Sequence, residues 1–328
     1  MTLSVAVSYI CKVNLTILQE YLMGQGTTIS VYEFMKKFPN EKSARLYLEK
    51  KRWNGNPVCP ECGSTENQHK QKRYGKHGYY FCYHCKMTYS VRTGTIFERS
   101  HVPLDKWLFT IYLVSTARKG ISSLQLSKEL GVTQTTAWFM LQRIREACKN
   151  DTFLSGIVEA DETYIGGKES NKHESKKLKA GSGVVGKIPV LGMRERGGNF
   201  EGKVLKDTTN NSIKTELNNS IAEDATLCTD EHRAYIDTKY KHMTVNHSAK
   251  QCVDGMAYTN GIESVWAVLK RGFYGIYHSF SEKHLQRYID EFAYRLNQGN
   301  VKIPTMSRID SLLKMCIGKR LMFAELIA

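Results

Sequence analysis

Residues 157–167 read Ile157-Val158-Glu159-Ala160-Asp161-Glu162-Thr163-Tyr164-Ile165-Gly166-Gly167. β-Branched and aromatic residues dominate this run, and two glycines end it, so it predicts a β-strand. Side chains alternate across a strand, which sends Glu159 and Asp161 to one face and Glu162 to the other. A carboxylate on a buried strand is costly unless it is paired or binds a metal.

Downstream, Ile188–Arg194 and Phe200–Val204 read as strands turned by Gly197-Gly198, a hairpin. Ser212–Ala222 reads as a helix, and Thr226–Thr229 as a short strand ending at Asp230. His242–Asn246 reads as another strand, with helices over Asn260–Gly272 and Glu282–Asn297. Three antiparallel strands, a helix, then short strands with helices is the order of an RNase H-like sheet. Between the first strand and the hairpin lies a basic loop, residues 168–187, with Lys168, Lys172, Lys176, Lys177, Lys179 and Lys187 among Gly and Ser.

Three acids occupy telling places: Asp161 mid-strand, Asp230 at a strand end, and Glu263 in the first turn of a helix carrying Val265, Trp266, Val268 and Leu269. Converging, they would hold two divalent cations for phosphodiester chemistry, and hard oxygen ligands favour Mg2+ or Mn2+. Taken singly, each acid reads more readily as a solvated or salt-bridged residue than as a ligand; the case rests on their joint placement on strand, strand end and helix. Lys270 follows Glu263 by two helical turns on nearly the same face, within reach of a phosphate, and Arg271 extends that positive surface. The plainer reading of both is a basic helix end that complements the helix dipole.

Upstream, Cys59-Pro-Glu-Cys62 and Cys82-Tyr-His-Cys85 stand 19 residues apart. Two such pairs predict a structural site with four thiolates on one zinc ion and no open position for chemistry. Gly63 allows the sharp bend after the first pair, and Tyr79, Tyr80 and Phe81 lead into the second as a strand. His69, His77 and His84 are surplus to a complete thiolate set. The other cysteines (Cys11, Cys148, Cys228, Cys252 and Cys316) show no spacing pattern and read as small buried hydrophobes.

Two short helices within Val31–Leu48, broken at Phe38-Pro39-Asn40, lead into the cysteine module, with Lys50, Lys51, Arg52 and Trp53 as a basic entry. After it, Pro103-Leu104-Asp105 opens a helix with the stripe Trp107, Leu108, Ile111, Tyr112 and Val114. From Ser122 to Cys148 the pattern is helix, Gly131-Val132 turn, helix, with Thr133 as N-cap. This resembles a helix-turn-helix, whose second helix would offer Gln134, Thr135 and Thr136 to DNA, with Arg143 and Arg145 as basic context. A plain helical hairpin used for packing is the alternative.

Composition sets the frame. With 41% hydrophobic and 10% aromatic residues, the 328-residue chain is not a disordered protein. Its longest early apolar run, Leu3–Cys11, is too short to span a bilayer and lacks the features of a secretory signal, which predicts a soluble intracellular protein with no membrane partner. The net charge of +15 is uneven: residues 1–156 carry +11 and residues 157–328 carry +4. An anionic partner such as nucleic acid fits a basic front half. The expected fold class is a multidomain α+β chain: zinc ribbon, helix-turn-helix, then an RNase H-like α/β core with a mixed sheet. The expected domains are an N-terminal extension at 1–30, zinc ribbon at 31–100, helix-turn-helix region at 101–152, catalytic core at 153–300 and C-terminal tail at 301–328.

Across residues 31–298 the chain resembles zinc-ribbon insertion-sequence transposases of the IS1595 family, with an ISXO2-like transposase domain and relatives among the eukaryotic Merlin elements. The resemblance runs through FMKKFPNEKSARLYLEKKRWNGNPVCPECGS, YYFCYHCKMTYSVRTGTIFERSHVPL, VEADETYIGGKE, VVGKIPVLGMRERGG, TDEHRAY, VNHS and NGIESVWAVLKRGFYGIYHSFSEKHLQRYIDEFAYRLN. It implies a DDE transposase. Asp161 matches the first catalytic aspartate and Asp230 the second. Glu263 matches the third acidic position, where the family also uses Asn or His, and Lys270 matches the lysine that follows. His247, in VNHS, matches a motif without a derivable role.

The implied activity is binding of terminal inverted repeats, metal-dependent cleavage and strand transfer into target DNA, by a homo-oligomer on double-stranded DNA. Its place would be the cytoplasm, on the nucleoid, in a bacterium, or the nucleus in a eukaryote. The rival readings are a catalytically inactive or domesticated DNA-binding regulator derived from such a transposase, and a structure-specific RNase H-like nuclease.

Overall fold

The computed structural model describes residues 28–73, 76–149, 153–167, 172–178, 183–230, 235, 238–245, 259–298 and 303–327. Most of the 1–30 extension, Lys168 and Lys179 of the basic loop, Cys11, Cys252 and the VNHS motif after Val245, with His247, lie outside them. Two compact units emerge: residues 1–116 with 298–328, and residues 117–297. The division falls inside the 101–152 segment that the sequence groups as one region.

In the first unit, α1 (Val31–Lys37) starts at a capping box: Ser30 and Glu33 satisfy each other's backbone N–H. Asn40 caps α2 (Glu41–Trp53) in the same way with Ser43. The ribbon is a three-stranded antiparallel sheet of β1 (Gln68–Arg73), β2 (Lys76–Cys82) and β3 (Thr88–Ser90). Tyr80 and Tyr89 are cross-strand partners, and Trp53 of α2 meets both rings edge-on at 5.2 and 5.8 Å. Arg52 donates to the carbonyls of Val91 and Thr93. Two residues of the sequence's basic entry, Arg52 and Trp53, therefore hold the ribbon to α2.

Helix α3 (Leu104–Thr116) completes this unit together with the C-terminal segment. The sequence reads that segment only as a tail, yet it forms α9 (Thr305–Met315), burying Ile309, Leu312 and Leu313, and the short helix α10 (Phe323–Ile327). Asp310 of α9 accepts from Tyr47 at 2.5 Å and pairs with Lys51, both on α2.

The second unit begins with α4 (Ser123–Leu130) and α5 (Gln134–Cys148), joined by a tight turn with Gly131 at φ +61° and Thr133 capping the N–H of Thr136. Arg145 is not basic surface. It is 1% exposed, its Nε 2.6 Å from Glu291, and its guanidinium lies 3.8 Å over the Tyr288 ring. Arg295 pairs with the same carboxylate. Arg143 is also buried, stacked over Phe139 at 4.4 Å.

A five-stranded mixed sheet follows, in the order β6-β5-β4-β7-β8. Strands β4 (Ile157–Ile165), β5 (Ile188–Glu195) and β6 (Phe200–Val204) are antiparallel; β7 (Thr226–Asp230) and β8 (Lys241–Val245) run parallel to β4. Val158, Ala160, Leu191 and Met193 face α6 (Asn210–Ser220) through Ile213 and Leu217. That helix starts two residues earlier than its sequence reading, at the Thr209 cap, and stops at Ser220 because Ile221 turns extended to bridge Leu154. On the other face, Ile165, Val190 and Phe200 pack on Ile262, Val265, Trp266 and Leu269 of α7 (Asn260–Gly272) and Leu285, Ile289 and Phe292 of α8 (Glu282–Gln298). Helix α7 runs on into a π-helical turn, Phe273–Tyr277, that ends at His278 with φ +60°.

Candidate functional site

The cysteine cluster assembles from two tight turns. Gly63 N–H bonds to Cys59 O at 2.9 Å, and Gly63 takes φ +71°; after the second pair the same left-handed step falls on Lys86. The four Sγ atoms lie within 4.8 Å of one another. Cys59 and Cys85 Sγ are 3.5 Å apart, and Cys62 and Cys82 Sγ 3.7 Å. A disulfide needs about 2 Å. A tetrahedron of thiolates at a Zn–S length of about 2.3 Å puts sulfurs about 3.8 Å apart, so the set fits one zinc ion and not a pair of disulfides. Gln68 donates to Cys82 Sγ at 3.5 Å and accepts from Tyr89 OH at 2.8 Å, which fixes the sulfur from outside. His69 and His84 are exposed and take no part, and Cys148, Cys228 and Cys316 are buried, as their lack of pattern implied.

The acidic site grows from strand register. In the parallel pair, Glu159 stands opposite Cys228. Two residues further along each strand are Asp161 and Asp230, neighbours on adjacent strands and on one face. Antiparallel β5 puts Gly192 opposite Asp161, and Gly202 of β6 lies opposite Gly192. These glycines are needed, since a Cβ at Gly192 would sit 2.4 Å from Trp266 Cζ2, and one at Gly202 would sit 2.5 Å from Ile289. The space lets the Trp266 indole lie across the sheet and donate to Asp161 Oδ2 at 3.0 Å.

Helix α7 therefore runs over β4 and β5. Its buried stripe is Ile262, Val265, Trp266, Leu269 and Gly272; Glu263, Lys270 and Arg271 are exposed. Burial pushes the Asp161 carboxyl from 3.8 up to about 6, with the charge of Asp230 next; the Glu162 N–H and the Trp266 indole pull it down, and Glu263 adds to the rise. The three acids thus share one electrostatic environment. Their oxygens do not close to the spacing of the cysteine set; among the described residues, that set alone brings three or more such groups within 4.8 Å of one another. A local excess of negative charge is what a divalent cation relieves.

Glu162 points to the opposite face, where Tyr235 OH donates to it at 2.7 Å. Of the residues read as DNA contacts, Gln134 and Thr135 are exposed at the start of α5, and Thr136 is half-buried with its hydroxyl 2.9 Å from that of Thr133. Sequence reasoning did not single out Glu159, Arg194, Arg196 or Trp266 for this site. The one signal available was the i, i+2 spacing of Glu159 and Asp161.

The chain matches the ISXO2-like transposase domain over residues 153–297 and the transposase zinc-ribbon domain over residues 39–88. It is 30% identical over 275 residues to an uncharacterized protein in transposable element ISH50 of Halobacterium salinarum, covering 80% of this chain and 92% of that one. The chain belongs to the IS1595 family of insertion-sequence transposases. A cryo-EM structure of a simian T-cell lymphotropic virus intasome is 15% identical, with a TM-score of 0.28 over 56% of this chain and 65% of that chain. A pre-cleavage Mos1 transpososome is 14% identical, with a TM-score of 0.18 over 62% and 76%. Among the described residues, no helix is long and apolar enough to cross a membrane.

Proposed function

We propose that the chain binds the terminal inverted repeats of an insertion sequence and catalyses cleavage and strand transfer as a DDE transposase. Asp161, Asp230 and Glu263 are its metal-holding acids. The observation that carries the reading is the register that sets Asp161 beside Asp230, with the charge of Glu263 from the first turn of α7 felt at Asp161. An antiparallel three-strand half continued by two parallel strands supports an RNase H-like core. The exposed start of α5, with Gln134 and Thr135 and the half-buried Thr136 after them, supports a helix-turn-helix that meets double-stranded DNA.

Two Mg2+ or Mn2+ ions held there would activate the attacking oxygen and stabilise the leaving oxygen of the phosphodiester. The chain's own residues do the rest. Asp161 stays ionised at neutral pH, above its raised value of about 6. The Trp266 indole fixes one Asp161 oxygen. Lys270 and Arg271 offer positive charge to a phosphate along the exposed edge of α7. Water first frees a 3′-OH at the element end, and that hydroxyl then attacks target DNA in line. A homo-oligomer on DNA would bring two ends together.

The test is strand cleavage and transfer by purified protein on inverted-repeat DNA with Mg2+. Asp161→Ala and Asp230→Ala should abolish both reactions while DNA binding persists. Cleavage retained by either variant sinks the acid assignment. A wild-type chain that binds the ends without joining them to target DNA points to the regulator instead.

A further inference from the structure

The first turn of α7 carries Glu263, yet it begins without a side-chain cap of its own. Thr259, at the N-cap, makes no capping hydrogen bond. The missing partner comes from the sheet. Glu159, 2% exposed on β4, accepts the Ile262 N–H at 2.9 Å. An anion at a helix N-terminus is favoured by the exposed N–H groups and the helix dipole. Its other oxygen is 3.2 Å from Arg196 Nε. From β5, Arg194 donates to Gly261 O at 2.6 Å and to Ser264 Oγ at 3.1 Å. Gly261 is bare where it meets this carboxylate: a Cβ there would stand 2.5 Å from Glu159 Oε2.

We propose that Glu159 is a positioning residue: its carboxylate anchors the N-terminal turn of α7 and so sets where Glu263 stands relative to Asp161. Two ties join α7 to β4, the Ile262 N–H to Glu159 and the Trp266 indole to Asp161, and Glu263 lies between them in sequence. Both Glu159 oxygens are engaged, by Arg196 and by Ile262, so the group serves the helix and not a cation. This inference rests on the metal-holding role proposed above for Asp161, Asp230 and Glu263.

The test compares wild type with Glu159→Ala, Glu159→Gln, Gly261→Ala and Asp161→Ala. Thermal unfolding with increasing Mn2+ reads metal binding directly, and cleavage of inverted-repeat DNA reads activity. Glu159→Ala should raise the half-saturating Mn2+ concentration about tenfold and slow cleavage about a hundredfold, the scale of an ångström misplacement. Glu159→Gln keeps an acceptor for the Ile262 N–H and should recover most of both. Gly261→Ala leaves every charge in place and should move both readouts in the same direction as Glu159→Ala, which decides the matter if that variant does not fold.

A folded Glu159→Ala or Gly261→Ala with the wild-type Mn2+ midpoint overturns the proposal. So does Glu159→Gln as impaired as Glu159→Ala, because charge and not anchoring would then be decisive. If wild type binds Mn2+, Asp161→Ala does not, and no strand is cut, the catalytic reading fails while the Mn2+ midpoints still judge Glu159. A wild-type chain with no Mn2+ response overturns both.

Discussion

The cysteine cluster and the acidic cluster are opposite solutions to holding like-charged groups together. Each cysteine pair is fixed by its own tight turn, so the geometry is local, and only the closure of two turns is tertiary. Each acid comes from a different element, and its place depends on sheet register, on Gly192 opposite Asp161 and Gly202 opposite Gly192, and on α7 being tied down at two points. The sulfurs sit at contact distance, as a structural ion demands, whereas the carboxylates stand apart and one of them is pushed up in pKa. A structural site gains from closing completely. The proposed acidic site must stay open for chemistry, and the surrounding packing carries the repulsion.

Metal removal breaks the comparison most strongly on the cysteine side. Structural zinc contributes about 10–16 kcal/mol of apparent binding free energy in small zinc modules, and it appears as folding energy. The protein should carry one zinc per chain by elemental analysis. Chelation, or Cys82→Ser, should abolish amide protection across β1, β2 and β3. A ribbon that keeps its protection after complete chelation would mean that Trp53, Tyr80 and Tyr89 suffice to fold it.

On the acidic side the scaffold itself rests on a buried charge group. Glu291 is 1% exposed and serves Arg145 of α5 and Arg295 of its own helix. Glu291→Ala leaves two buried guanidinium groups without a counter-charge, and should cost about 3–5 kcal/mol in denaturant unfolding. A loss under about 1 kcal/mol, the scale of an exposed pair, would show that the arginines find water instead.

The same contrast explains what was legible beforehand. Cysteine spacing is a local signal, and strand, turn and helix around Asp161, Asp230 and Glu263 follow local patterns too. Strand β1 was not legible: Gln68–Arg73 is polar throughout, and its order comes from pairing with β2. Arg145 looks like basic surface because its partner is tertiary, with Glu291 arriving from 146 positions away. Glu159 meets the Ile262 N–H across 103 positions, so its role depends on how α7 lands on the sheet. The helix at Thr305–Met315 has an apolar face that its packing on α3 explains.

Asp161 gives the next largest effect. Its carboxyl ionises near 3.8 unfolded and near 6 in the metal-free fold, raised first by burial. Between those values the folded state binds the proton more tightly. The stability gained is therefore full below about pH 4 and lost as pH rises through about 6, up to about 3 kcal/mol. Metal-free Asp161→Asn should melt above wild type at pH 7.5 and level with it at pH 4, and Mg2+ should close the gap at pH 7.5. Equal melting at pH 7.5 would show that Asp161 carries no electrostatic strain.

The smallest effect isolates the packing that aims Asp161. Gly192 has no side chain, and the Trp266 ring fills that space while donating to Asp161. Gly192→Ala puts a methyl where Trp266 Cζ2 lies 2.4 Å away, so the ring must shift; overpacking of this kind costs about 1–3 kcal/mol. Trp266→Phe should cost stability through lost burial and the lost hydrogen bond, but a six-membered ring alone leaves room for the methyl. The two changes should therefore be non-additive: the double variant should lie above the sum of the single losses by at least about 0.5 kcal/mol, the scale of coupling between residues in contact. Simple additivity would mean that the indole relaxes freely away from β5, and the glycine opposite Asp161 would then have no part in holding the acid site open.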